Sequence, residues 1–98
     1  MVKDKKAKGS RVEREVKRLI QSYGFSVVRS AGSFGKADLY VEGLGSVQVK
    51  ARKELGFLKW LDGADMLVVK QDKDKPYVVV ELERFLRLVR GLTNHDRE

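Results

Sequence analysis

A chain of 98 residues with 42% hydrophobic side chains reads as one small globular domain with a thin core, neither a disordered tail nor a two-domain protein. Zero cysteines and one histidine exclude a disulfide framework and thiolate or His-cluster metal sites, and no apolar run or leader-like N-terminus points to a membrane or to secretion, so a soluble intracellular α+β domain is expected. The net charge of +7 sits wholly in residues 1–36, which carry ten basic and three acidic side chains against eleven of each in 37–98; this is the footprint of a polyanion partner, or else a solvated face that aids solubility.

Residues 1–9 are polar, lysine-rich and end in glycine, which reads as a flexible basic arm; the domain proper is expected over 10–93. A first helix is predicted over 11–23, where Val12, Val16, Leu19, Ile20 and Tyr23 form one stripe at a period of about 3.6. Ser10 and Glu13 have the spacing of a capping box, and Gly24 stands where a helix stop is wanted. Residues 25–30 are rich in β-formers and read as a strand, followed by a glycine-rich loop over 31–37. Strands over 38–42 and 46–50 are joined by Gly43-Leu44-Gly45 as an antiparallel hairpin. A short helix is expected over 55–61, then strands over 66–70 and 77–80 with a polar turn between them. A last helix is predicted over 83–90, stopped by Gly91, with 94–98 as a frayed tail. The order α-β-β-β-(α)-β-β-α predicts an α/β (α+β) fold with a central mixed sheet of about five strands flanked by helices.

The chemistry concentrates on the strand over 46–50. Alternation sends Val47 and Val49 to the core and puts Gln48 and Lys50 together on the other face, about 7 Å apart. Asp38 opens the neighbouring strand, so an acid, an amide and a lysine converge beside a glycine-rich loop. Phosphodiester hydrolysis needs such a set: oxygen ligands for Mg²⁺, and a cation for the charge developing on phosphorus. Alternation alone would equally give an ordinary solvated sheet face. On the first helix, Glu13 and Glu15 lie about 80° either side of the stripe's centre, so periodicity does not separate them. Glu13 also has the plainer role of capping partner to Ser10. Phe34 reads either as a wedge into opened base pairs or as a local cap on the core. Trp60 is expected to pack in the core or in a dimer contact, with base stacking as the alternative, and His95 has no role.

Four segments, taken in order, resemble a known family: Lys8-Gly-Ser-Arg-Val-Glu-Arg-Glu15, Gly24-Phe-Ser-Val-Val-Arg-Ser-Ala-Gly-Ser33, Asp38-Leu39 and Val47-Gln-Val-Lys50. They are similar to the archaeal-type Holliday junction resolvases and their phage relatives, within the PD-(D/E)XK nuclease superfamily. The resemblance implies a restriction-endonuclease-like core with a metal site at one sheet edge. By position, Asp38 would be the central metal-bridging carboxylate, Gln48 and the backbone carbonyl of Val49 further ligands, and Glu13 the acid supplied by the helix. Lys50 would orient or activate the attacking water. Arg14 and Arg29 match phosphate-contacting positions, and Ser30 and Ser33 lie in the loop that meets DNA. Lys8, Lys36, Arg52 and Lys53 complete the expected DNA-binding set, with Lys3, Lys5 and Lys6 as nonspecific phosphate contacts. There are two departures. Ala37 replaces the proline, which only shapes the turn, and Gln48 replaces the usual glutamate, which leaves two carboxylates and weaker metal binding.

The expected function is therefore a Mg²⁺-dependent, structure-selective DNA endonuclease, with Mn²⁺ able to substitute, that nicks four-way junctions in pairs. The expected partners are branched DNA and a second copy of the chain, with part of the dimer contact at 55–61, no membrane, and a cytoplasmic location (the host's, for a phage protein). The alternatives are a related flap or single-strand nuclease and a noncatalytic module that binds branched DNA.

Overall fold

The computed structural model describes residues 2–29 and 38–97, with side chains defined over 9–29 and 38–91. Ser30, Ser33, Phe34, Lys36 and Ala37, and the side chains of Lys3, Lys5, Lys6, Lys8 and His95, lie outside the described residues. The elements are α1 (Val2–Ser22), β1 (Val27–Arg29), β2 (Leu39–Val41), β3 (Gly45–Val47), a 3₁₀ segment (Gly56–Leu61), β4 (Leu67–Val69), β5 (Tyr77–Val79) and α2 (Leu82–Arg97). They fall into two compact units, residues 1–52 and 53–98, where the sequence reads as one domain over 10–93.

In the first unit, α1 begins at Val2 and not at residue 11, so residues 2–9 continue the helix and are not a separate arm. Lys and Ala are good helix formers, and a single interior glycine such as Gly9 costs only about 1 kcal/mol against alanine. Ser10 and Glu13 consequently lie inside the helix, and the capping box is not used. Val12, Val16, Leu19 and Tyr23 are half-buried and Ile20 is 2% exposed, whereas Arg11, Arg14, Glu15 and Arg18 are exposed. Gly24 ends the helix in the left-handed region (φ 93°), and its N–H donates to the carbonyl of Gln21 at 2.9 Å.

α1 packs on β1 of a three-stranded antiparallel sheet ordered β1-β2-β3. The register pairs Val27 with Val41 and Arg29 with Leu39, and Leu39 in turn with Val47. Val27, Leu39 and Val41 are buried with Ile20 as the core of this unit, while Val28 and Tyr40, opposite each other, are exposed. The hairpin turns at Gly43 (φ 90°), with the Leu44 N–H donating to the Val41 carbonyl at 3.0 Å.

In the second unit, β4 and β5 form a two-stranded antiparallel sheet that pairs Leu67 with Val79 and Val68 with Val78. The expected single mixed sheet is therefore corrected: among the described residues the strands form two separate antiparallel sheets. Parallel pairing needs a long crossover between strands, whereas each strand here pairs antiparallel with its neighbour in sequence, β1 with β2, β2 with β3 and β4 with β5. Asp74 stabilises the β4–β5 turn, its two carboxylate oxygens accepting from the Lys75 N–H at 2.7 Å and from Gln71 Nε2 at 3.1 Å. The 3₁₀ segment buries none of its residues, and Trp60 is 62% exposed, so it is not a core residue. α2 buries Leu86 and runs on through Gly91 to Arg97, so neither the stop at Gly91 nor the frayed tail is found over the described residues.

Candidate active site

The sheet register sets the site. Arg29, Leu39 and Val47 stand in one row across β1, β2 and β3. Asp38 immediately precedes Leu39, and Gln48 immediately follows Val47, so both lie just beyond the same end of the sheet. Two hydrogen bonds carry the pairing past the strands. The Asp38 N–H donates to the Val47 carbonyl at 2.9 Å, and the Val49 N–H donates to Asp38 Oδ2 at 2.6 Å.

The second bond is charge-assisted and short, and it clasps the segment 48–50 to the start of β2. β3 itself ends at Val47, so the strand expected over 46–50 is shorter than predicted. The alternation of exposure continues beyond it nonetheless: Val47 and Val49 are half-buried, Gln48 and Lys50 exposed. The clasp explains this, because fixing the Val49 amide to Asp38 fixes which way its neighbours turn.

Glu13 and Arg29 form the second cluster. Arg29 Nε donates to Glu13 Oε1 at 3.1 Å, with side chains 36% and 21% exposed respectively. Alternation along β1 puts Arg29 on the face of Val27, the side where α1 packs, and that lets it meet the helix. Glu13 is half-buried there, whereas Glu15 is exposed on the other flank. The structure thus separates two glutamates that periodicity treats alike. Nothing in the local spacing of residues 16 apart signals this ion pair; it needs the register and the helix packing together.

Asp38 and Val49 are thus in direct contact, as are Glu13 and Arg29, while Gln48 and Lys50 flank the first pair on the exposed side. Among the described residues no hydrogen bond or ion pair joins Glu13 to Asp38, and no three His, Cys, Asp or Glu side chains group together as metal ligands. The donor groups of Asp38, of its hydrogen-bond partner Val49 and of the adjoining Gln48 are oxygens: a carboxylate, a backbone carbonyl and an amide. These are hard ligands of the type that Mg²⁺ takes, with one or two carboxylates and room for water, so the residues present fit such an ion in kind. Arg14 is exposed on α1, Arg52 is exposed with Nη1 donating to the Ala51 carbonyl at 3.0 Å, and Lys53 is exposed at the start of the second unit.

Residues 4–51 match the family model of the archaeal Holliday junction resolvases. No curated protein and no solved structure matches the chain. The matched span runs from the first turns of α1 to the segment held by Asp38, and it nearly coincides with the first compact unit. Over that span the chain is similar to this family of junction-cleaving nucleases, as the four sequence segments imply. Among the described residues no helix is long and apolar enough to cross a membrane.

Proposed function

We propose that this protein is a Mg²⁺-dependent DNA endonuclease that nicks four-way junctions in pairs as a homodimer. The observation that supports the proposal is the Asp38–Val49 hydrogen bond, which holds the acid to the backbone between Gln48 and Lys50 within the span matched by the resolvase family. Asp38, Gln48 and the Val49 carbonyl would hold the divalent ion, with Mn²⁺ able to replace it. When bound there, such an ion supplies Lewis acidity toward the scissile phosphate and a water.

The chain's own groups do the rest. Lys50, exposed beside Asp38, orients the water that attacks phosphorus in line. Arg29 meets the phosphate oxygens as charge develops on them. Glu13 acts first on Arg29, accepting from Nε at 3.1 Å and leaving the terminal Nη groups for the phosphate. Hydrolysis leaves 5′-phosphate and 3′-hydroxyl ends.

A second reading, a noncatalytic module for branched DNA, is favoured by one observation. Glu13 is already ion-paired with Arg29 and Gln48 brings no charge, which leaves Asp38 as the one carboxylate of the expected set without an ion pair among the described residues. Incubating a four-way junction and a linear duplex, each with Mg²⁺ and with a chelator, decides between them. Paired nicks in the junction that need the metal support the resolvase. Indiscriminate cutting indicates a general or flap nuclease, and chelator-insensitive binding without cutting indicates the binding module.

A further inference from the structure

α1 has a second face that the proposed cleavage site does not use. Arg11, Arg14 and Arg18 are exposed, and at about 100° per residue they fall within about 60° of one another, on the side away from the buried stripe. They span about 10 Å along the axis. Lys17, half-buried, flanks them, and Arg14, Lys17, Arg18 and Gln21 line a shallow hollow of about 240 Å³. Among the described residues none of these four cations makes an ion pair, and the one exposed acid of the helix there, Glu15, sits on the flank.

The arrangement is not explained by the helix itself. Like charges at i,i+3 and i,i+4, as in Arg11–Arg14 and Arg14–Arg18, each destabilise a helix by about 0.2–0.5 kcal/mol. Nor do they serve the helix's C-terminal carbonyls, because the last turn of α1 contains no basic residue. A row of planar guanidinium groups at this spacing is complementary to a line of phosphates, which Arg binds through paired N–H donors.

We infer that the outer face of α1 (Arg11, Arg14, Lys17 and Arg18) is a phosphate-binding ridge that lies along the backbone of a duplex DNA arm. The inference rests on the reading of DNA as substrate and adds to it where an uncut arm is held. Contacts of this sort position a duplex and carry no sequence information.

The test is fluorescence anisotropy of a labelled four-way junction in Ca²⁺, which allows binding without requiring cleavage, across a salt series. Arg11→Gln/Arg18→Gln is compared with Lys73→Gln/Lys75→Gln, which removes the same charge from the β4–β5 turn, and with Arg11→Lys/Arg18→Lys. Glutamine and lysine keep helix propensity, and circular dichroism checks that helicity is retained. The arginine-to-glutamine pair should flatten the log–log salt slope by about 1.8 and weaken binding on the order of 10- to 100-fold at 0.1 M salt, since each phosphate contact contributes about 0.9. The turn variant should leave the slope as it is, and the lysine variant should restore most of it. An unchanged slope in Arg11→Gln/Arg18→Gln, or an equal loss in the turn variant, overturns the ridge while leaving the nuclease reading in place. A wild-type protein with no affinity for junction or duplex overturns both, and preferential capture of a polyglutamate peptide over DNA would show that the ridge serves an acidic protein instead.

Discussion

Asp38 holds the Val49 N–H through one carboxylate oxygen at 2.6 Å, so asparagine and alanine at this position test different things. Asparagine keeps an oxygen acceptor and removes the charge. Asp38→Asn should lose at least about 100-fold in cleavage rate while junction affinity and melting temperature stay close to wild type. Asp38→Ala removes the acceptor as well, and a half-buried N–H left without a partner should cost about 1–3 kcal/mol in urea unfolding. Near-normal cutting by the asparagine variant would remove Asp38 from the chemistry and leave it only the clasp. Gln48 is the complementary case. It is exposed beside the clasp, and Gln48→Glu adds a negative charge where a divalent ion would sit. Attraction to the ion exceeds the added repulsion from Asp38 by a net gain on the order of 1 kcal/mol, which should lower the Mg²⁺ midpoint of single-turnover cleavage about fivefold. The same midpoint in Gln48→Glu and in Gln48→Ala would mark Gln48 as a bystander.

At the scale of elements, the glycines distinguish helix interior from helix end. Gly9 lies inside α1 and an added Cβ there meets no atom within 4 Å, so Gly9→Ala should stabilise the protein by about 0.5–1 kcal/mol. Gly24 has φ 93°, and Gly24→Ala should destabilise it by about 1–2 kcal/mol. Paired thermal melts check both, and a destabilised Gly9→Ala would mean that residues 2–9 do not add to the helix in solution. The same contrast shows what could be read from the residues alone. The stripe Val12–Val16–Leu19–Ile20–Tyr23 and the stop at Gly24 were legible because they depend on local period and backbone sterics. The start of α1 was not, because Ser10 and Gly9 look like a boundary but cost too little to impose one. Gly91 misleads in the same way within α2. At the site, the placement of Asp38 near Gln48 and Lys50 followed from the hairpin. The Glu13–Arg29 pair did not, since it depends on which helix flank meets which sheet end.

The whole molecule presents more apolar surface than its first unit explains. In the second unit Val68 and Val78, opposite each other across β4 and β5, are 66% and 58% exposed, and Met66, Tyr77, Trp60, Leu58 and Leu55 are exposed as well. Scattered exposed apolar residues are ordinary, but a paired row of exposed valines on one sheet face is the kind of feature that marks an interface. A four-way junction is approximately twofold symmetric and must be nicked at two related positions, which an isologous dimer presents naturally. Both considerations favour the proposed homodimer and make this surface, including the 55–61 segment singled out by its apolar sequence, the contact to test. Val68→Lys/Val78→Lys places like charges opposite each other on that face and on its symmetry mate. Sedimentation velocity should then show a dimer for wild type and a monomer for the variant, the dissociation constant rising tenfold for about every 1.4 kcal/mol lost. In a supercoiled cruciform plasmid the wild type should linearise the circle by two nicks within one binding event, and the monomeric variant should accumulate nicked circle instead. A wild-type monomer at micromolar concentration, or a monomeric variant that still linearises the plasmid without a nicked intermediate, would detach junction cleavage from this surface.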